Sequence, residues 1–123
     1  MPVVIVEKKA SLDPGVKAKL AAEITGVLND VIKSPDDLIS VVFHDVSADS
    51  TFRAGVPTDE ALIFVHIRVG RSDEAVLRLL KAISDVWTGI TGESEDAIEL
   101  VAVQHPAKWT MRGGMRLPEP PPA

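Results

Sequence analysis

Hydrophobic positions along this chain follow two periods in alternation, and the alternation occurs twice. "VVIV" (Val3–Val6) is a short β-branched run, the mark of a buried strand. Leu20, Ile24, Val27, Leu28 and Val31 then recur at helical spacing, and Ile39–Phe43 is apolar again after the helix-breaking "SPDD". The second half says the same. Leu62–Val65 predicts a strand. Leu79, Leu80, Ile83, Val86, Trp87 and Ile90 predict a helix, and Ile98–Val103 predicts a strand after "GESED". "DPG" and "GRSDE" supply helix-start chemistry: Asp13 or Ser72 can cap, with acidic residues in the first turn.

Shifting the chain against itself by 59 residues brings the two halves into register without a gap. "VVIVEKK" falls on "LIFVHIR", "KLAAEITGVLNDV" on "RLLKAISDVWTGI", "DDLISVV" on "EDAIELV", and "SADSTFRAG" on "PAKWTMRGG". Val6/Val65, Leu20/Leu79, Ile24/Ile83, Val27/Val86, Asp37/Asp96, Ile39/Ile98, Thr51/Thr110, Arg53/Arg112 and Gly55/Gly114 are identical pairs. Two parallel strands joined by a helix make a right-handed βαβ unit. Two fused units predict an α+β fold, a four-stranded sheet with two helices on one face. The other sheet face then needs a cover, and self-association supplies one. The expected organisation is one domain over residues 1–118, built from repeats 2–55 and 61–114. Residues 119–123 follow as a Pro-rich tail, a PPII-like arm or a disordered one.

Bulk composition narrows the function classes. The 123 residues are 46% hydrophobic and 25% charged, with a net charge of −5. That balance, with no clustered Lys/Arg stripe, argues against nucleic acid as a partner. There is no cysteine, so thiolate metal sites are excluded, and His44, His66 and His105 lack metal-ligand spacing. No apolar run approaches about 20 residues, so no membrane span is expected. The N-terminus lacks a signal-peptide pattern, which makes a cytoplasmic protein the expectation.

Two stretches carry chemistry. "MPVVIV" places a proline where a strand begins, although proline has no amide N–H to give to a ladder. "HIRVGRS" places Arg68 and Arg71 on the loop after a strand. A planar guanidinium fork can hold a carboxylate bidentately and draw charge from an adjacent carbon. As a loop residue, Arg71 is expected to add nothing to the core.

Together these residues resemble the tautomerase superfamily: a βαβ repeat starting at Met-Pro, "GRSDE" (Gly70–Glu74) at a helix start, and a Gly-Gly turn at Gly113–Gly114. Ala61–Gly114 resembles one subunit of oxalocrotonate tautomerase. The chain through about Pro118 is more similar to the fused-repeat branch that holds cis-chloroacrylate dehalogenase. It shares the "FVH" strand, two arginines three apart, "PA" after the last strand and "LP" near the end.

The resemblance implies a homotrimer without cofactor or metal, acting on a small carboxylate. It implies that Met1 is removed and that Pro2 becomes a free secondary amine, the catalytic base. Apolar surroundings and a nearby guanidinium would lower its pKa below the ordinary α-amino value of about 7.7–8. A base poised near neutral pH suits proton transfer. The 59-residue twin of Pro2 is Ala61, so one site per chain is expected.

By the same resemblance Arg68 and Arg71 hold the substrate carboxylate. Arg112 lines the pocket or lies on the surface, and Trp109 walls an apolar pocket or packs a subunit interface. Trp87 reads as core and His66 as a structural histidine; the role of His105 stays open. Leu28, Val101 and Arg112 stand where the dehalogenase branch carries a histidine, a tyrosine and a water-activating glutamate. The expected reaction is therefore keto–enol tautomerisation of a 2-oxo or 2-hydroxy-enoic acid, with weak hydratase or dehalogenase activity at most. The rival expectation is a lapsed member serving as a trimeric small-acid binding or structural module.

Overall fold

The computed structural model describes residues 1–123. The first half folds into β1 (Val3–Lys9), α1 (Pro14–Ile32), β2 (Ser40–Val46) and a short hairpin of β3 (Phe52–Arg53) and β4 (Val56–Pro57). The second half repeats it with β5 (Ala61–Arg68), α2 (Asp73–Thr91), β6 (Ile98–His105), β7 (Met111–Arg112) and β8 (Met115–Arg116). Both helices have 19 residues, and each boundary of α2 lies 59 positions beyond that of α1.

Both expected caps form. The Asp13 carboxylate accepts the Val16 amide at 2.9 Å, and the Ser72 hydroxyl accepts that of Ala75 at 3.1 Å. Each satisfies a donor that has no partner inside the helix. Asp73 and Glu74 fall in the first turn of α2, where carboxylates oppose the positive end of the helix dipole. The expectation of acidic residues in both first turns fails for α1, which starts Pro14–Gly15–Val16; there the proline presets φ instead.

The sheet order is β2-β1-β5-β6. β1 pairs with β2 and β5 with β6 in parallel, while β1 and β5 run antiparallel at the centre. The strands run further than their apolar runs, and burial alternates along them. Val4, Val6, Ala61, Ile63, Val65 and Ile67 face the helices and are at most 1% exposed. They pack against Leu20, Ile24, Leu28 and Ile32 of α1 and Leu79, Ile83 and Trp87 of α2. Full burial of such a side chain contributes roughly 1.5–3 kcal/mol. Val3 and Ile5, on the opposite face, are half-buried, and Val42 and Val101 there are 48% and 44% exposed. The uncovered sheet face expected from the pattern is present.

Lys8 sits on the helix-facing side of β1, 3% exposed. Its ammonium pairs with Glu93 at 3.1 Å, and Glu93 accepts the Trp87 indole N–H at 2.8 Å. This network fastens the end of α2, where Gly92 closes the helix with φ 73°. Residues 119–123 have no regular secondary structure, yet Pro120 is buried and Ala123 packs against the core.

Two substitutions test this partition. Ile24→Ala removes a fully buried side chain and is expected to cost about 2–5 kcal/mol in urea unfolding. Leu77→Ala, on an α2 residue 66% exposed, should stay within about 0.5 kcal/mol of the parent. A cost for Leu77→Ala as large as that expected for Ile24→Ala would mean that α2 packs through a different face.

Candidate active site

Pro2 lies immediately before β1 and is buried. Its carbonyl accepts the Ser40 amide at 3.1 Å, so it joins the start of the β1–β2 pairing without owing the ladder an N–H. Continuing the β1–β5 register, in which Val3 faces His66, sets Met1 level with Arg68. The N-terminal amine feels this. Burial first, then the charges of Arg68 and Arg112, hold its pKa below the ordinary α-amino value.

Arg68 ends β5 and is 2% exposed. Its Nη1 donates to the Pro118 carbonyl at 2.6 Å. Its Nε is buried with no hydrogen-bond partner. An unpaired buried donor is costly, so an acceptor belongs beside this edge of the guanidinium; the Nε of Arg71 is buried and unpaired in the same way. Burial lowers the Arg68 pKa, and the Glu119 carboxylate offsets part of that.

Arg71 behaves differently from a loop residue. It is 7% exposed. Its Nη1 donates to the Arg68 carbonyl at 2.9 Å, and its Nη2 reaches the Ile32 carbonyl and the Ser34 hydroxyl, both at 3.3 Å. Burial, then the Arg68 charge, pushes its pKa down to about 10, which leaves it protonated at neutral pH. The side chain runs under the loop to the end of α1, where carbonyls lack helical partners and the dipole favours a cation. The expectation that Arg71 adds nothing to the packing fails, because these acceptors lie some 39 residues back in the chain.

Arg112, on the exposed β7, acts on the amine through its charge. Trp109 is 75% exposed, with the Lys108 ammonium 5.5 Å from its ring centroid. The structure thus brings together the N-terminal segment, Arg68 and Arg112, with Arg71 behind Arg68. Leu28 is wholly within the core, Trp87 likewise, and Val101 lies on the open sheet face.

Sequence reading missed three partners of this site: Ser34, Pro118 and the link between the two remaining histidines. His66 Nδ1 and His105 Nε2 lie 2.9 Å apart, with the rings stacked at 5.2 Å. Burial, then the His105 charge, pushes His66 down. The repeat could have revealed this pair. Once β5 and β6 are set parallel with Arg68 against His105, His66 and His105 become diagonal neighbours on one face.

The model of a family described as putative oxalocrotonate tautomerase enzymes matches residues 1–122. No curated protein matches the sequence. Several solved structures share the fold. Native Ps01740 is 28% identical with a TM-score of 0.87, over 90% of this chain and 100% of that one. N1, a member of the cis-3-chloroacrylic acid dehalogenase family, is 26% identical with a TM-score of 0.90, over 97% of this chain and 85% of that one. A wild-type fused 4-OT symmetric trimer is 20% identical with a TM-score of 0.86, over 94% and 95%.

Because Arg71 ties the loop to α1, Arg71→Ala should destabilise the fold. Loss of charged hydrogen bonds to three acceptors is expected to cost about 1.5–3 kcal/mol in chemical unfolding. Arg71→Lys should recover only part, since one ammonium cannot span the same acceptors. Parent-like stability in Arg71→Ala would mean that these contacts do not hold the loop.

Proposed function

The chain belongs to the putative oxalocrotonate tautomerase family, and from that premise we propose that it is a cofactor-independent keto–enol tautomerase acting on a 2-oxo or 2-hydroxy-enoic acid. The observation that carries this reading is the β1–β5 register, which sets Met1 level with Arg68, where burial and the charges of Arg68 and Arg112 hold the Met1 amine below the ordinary α-amino value. With Met1 removed, the secondary amine of Pro2 takes that place as the base. Arg68 receives the substrate carboxylate along its unpaired edge, and Arg71 supports the loop from behind. The Pro2 nitrogen removes the proton from the carbon next to the keto group, the electron pair of that C–H bond moves through the new C=C bond onto the carbonyl oxygen, and the protonated Pro2 amine then gives the proton to that oxygen to form the enol. The cationic surroundings stabilise that enolate charge as it develops. Return of the proton to carbon is the reverse step. Water-adding chemistry is not part of the reading, because a group that activates water must accept a proton and Arg112 does not. Trp109 is the residue we assign to the mouth of the site or to a subunit contact.

We further propose a homotrimer, as the fused 4-OT relative is described. The support in this chain is the uncovered sheet face together with exposed apolar residues on the two hairpins: Phe52, Val56, Met111 and Met115. Light scattering at micromolar concentration should give three times the chain mass of 13.2 kDa, and a sharp monomer would sink the assembly.

The chemistry is tested by comparing processed protein, a Met1-retained form, Pro2→Ala and Arg68→Ala on phenylenolpyruvate. In the processed form the rate should rise with pH through one ionisation below the ordinary α-amino value, since only the neutral amine accepts a proton. The Met1-retained form should be folded and nearly inactive, because its proline nitrogen is an amide. Pro2→Ala should keep part of the rate, through a primary amine at the same place. Arg68→Ala should lose about 10- to 150-fold in kcat/KM, the worth of one charged hydrogen bond. Equal rates with and without Met1 would remove Pro2 as the base. A folded protein inert to all enols tried would favour the lapsed binding module instead.

A further inference from the structure

The segment after β8 does more than end the domain. Leu117 donates its amide to the Thr110 carbonyl at 3.0 Å, which fixes where the segment leaves the second hairpin. Pro118 then gives its carbonyl to Arg68 Nη1 at 2.6 Å. Glu119 brings a carboxylate near enough to raise the Arg68 pKa against its burial. Pro120 is buried over Gly70, whose φ is 138° and where an added Cβ would stand 3.1 Å from the Pro120 ring. The Ala123 oxygen accepts from the Ser72 amide at 3.2 Å and from its hydroxyl at 3.0 Å. The whole stretch lies along the Arg68–Ser72 loop, touching it at Arg68, Gly70 and Ser72.

The position of the Pro118 bond matters. A guanidinium offers a carboxylate two flat edges: the Nη1–Nη2 end and the Nε–Nη2 side. Holding Nη1 on a backbone carbonyl closes the first and leaves the second, and Nε on that second edge is the donor that has no partner. Gly70 is needed because its left-handed backbone and bare Cα let the proline ring sit down on the loop.

From this geometry we propose that residues 118–123 form a positioning strap that locks Arg68 from one side and so aims its Nε–Nη2 edge at the substrate carboxylate. The proposal rests on the reading of Arg68 as the carboxylate clamp. The strap touches no reacting atom. Its effect is on how well the carboxylate is held, hence on KM for acids and not on the proton-transfer step. Three proline residues in a row (Pro120–Pro122) suit the role, because a stiff segment loses little entropy in being held.

The test compares the full chain, a chain ending at Leu117, and Pro120→Gly, all with Met1 removed. Phenylenolpyruvate and its methyl ester serve as substrates. The shortened chain should show KM for the acid raised about tenfold, the worth of one charge-assisted contact, with kcat within about twofold and the ester unaffected. Pro120→Gly, which keeps the segment but loosens it, should lie between. If the shortened chain does not fold, Pro120→Gly carries the kinetic test. Independently of turnover, the Arg68 Nε–H resonance in a ¹⁵N spectrum should be sharp in the full chain and broadened or lost without the strap.

A KM unchanged for the acid, or raised equally for acid and ester, would overturn the strap, as would a KM that falls, which would make the segment a competitor. If the full chain turns over no enol, the tautomerase reading fails; the Arg68 resonance then decides by itself whether the strap holds the arginine.

Discussion

The antiparallel pairing of β1 with β5 is the constraint on which the rest depends. It sets Val3 opposite His66 and Glu7 opposite Leu62. One consequence is architectural: two βαβ units become one sheet. The other is chemical. Because the strands run in opposite directions, the start of β1 meets the end of β5, and the proline at position 2 comes beside the guanidinium at position 68. The core enforces this register. A slip of one residue would turn Val4, Val6, Ile63 and Val65 out of the apolar layer and rotate Arg68 to the other face. Four aliphatic side chains at roughly 1.5–3 kcal/mol each make that slip prohibitive. The site needs no separate device to align its halves.

Two buried cations complete the frame. A charge taken out of water costs several kcal/mol unless its donors are met. Lys8 and the two terminal nitrogens of Arg71 are met in similar ways, each beside the end of a helix, while the Arg71 Nε stays unpaired. Arg71 reaches the last carbonyl of α1, and Lys8 pairs with Glu93 just past the Gly92 cap of α2. In both cases a strand-side cation fixes the point where a helix hands the chain to the next strand. For Arg71 the same contacts hold the loop that carries Arg68, since one of its donors is spent on the Arg68 carbonyl. Stability and site geometry therefore rest on the same side chain.

The parts of this that were legible in the sequence are those with a local or periodic cause. Alternation and helical spacing gave the elements, and the 59-residue shift gave their order twice. Asp13 and Ser72 announced the caps because a capping side chain acts within three residues. The direction of Arg71 was not legible, since its acceptors are two backbone carbonyls and a serine in the loop just after α1. Every residue carries a carbonyl, so an acceptor of that kind leaves no mark in the composition. The same holds for Pro118. "LPEPPPA" reads as unable to build a core, but it docks through main-chain oxygens, the flat face of the Pro120 ring and Ala123 against the core.

The repeat also sets the two ends of the sheet apart in charge. At the twin positions of Pro2, Arg68 and Arg71 stand Ala61, Lys9 and Leu12, and at those of His66 and His105 stand Glu7 and Val46. Ala61 is internal and fully buried, so its nitrogen is an amide without basicity. Around Glu7 the chain forms a cavity of about 370 Å³ lined by Glu7, His44, Glu60, Phe52, Leu62 and Phe64 among others. Its charged lining is carboxylate, not guanidinium. Arg53, the twin of Arg112, is tied to Asp96 at 3.3 Å and Glu60 at 3.6 Å. The repeat thus supplies two corresponding sheet ends, and their differing side chains set their fields apart. A carboxylate is attracted to the end that holds Arg68 and Arg112 and repelled from the end that holds Glu7 and Glu60. A fused chain can keep this difference because each half carries its own side chains. Two identical separate subunits could not, since any change in one cleft would appear in the other.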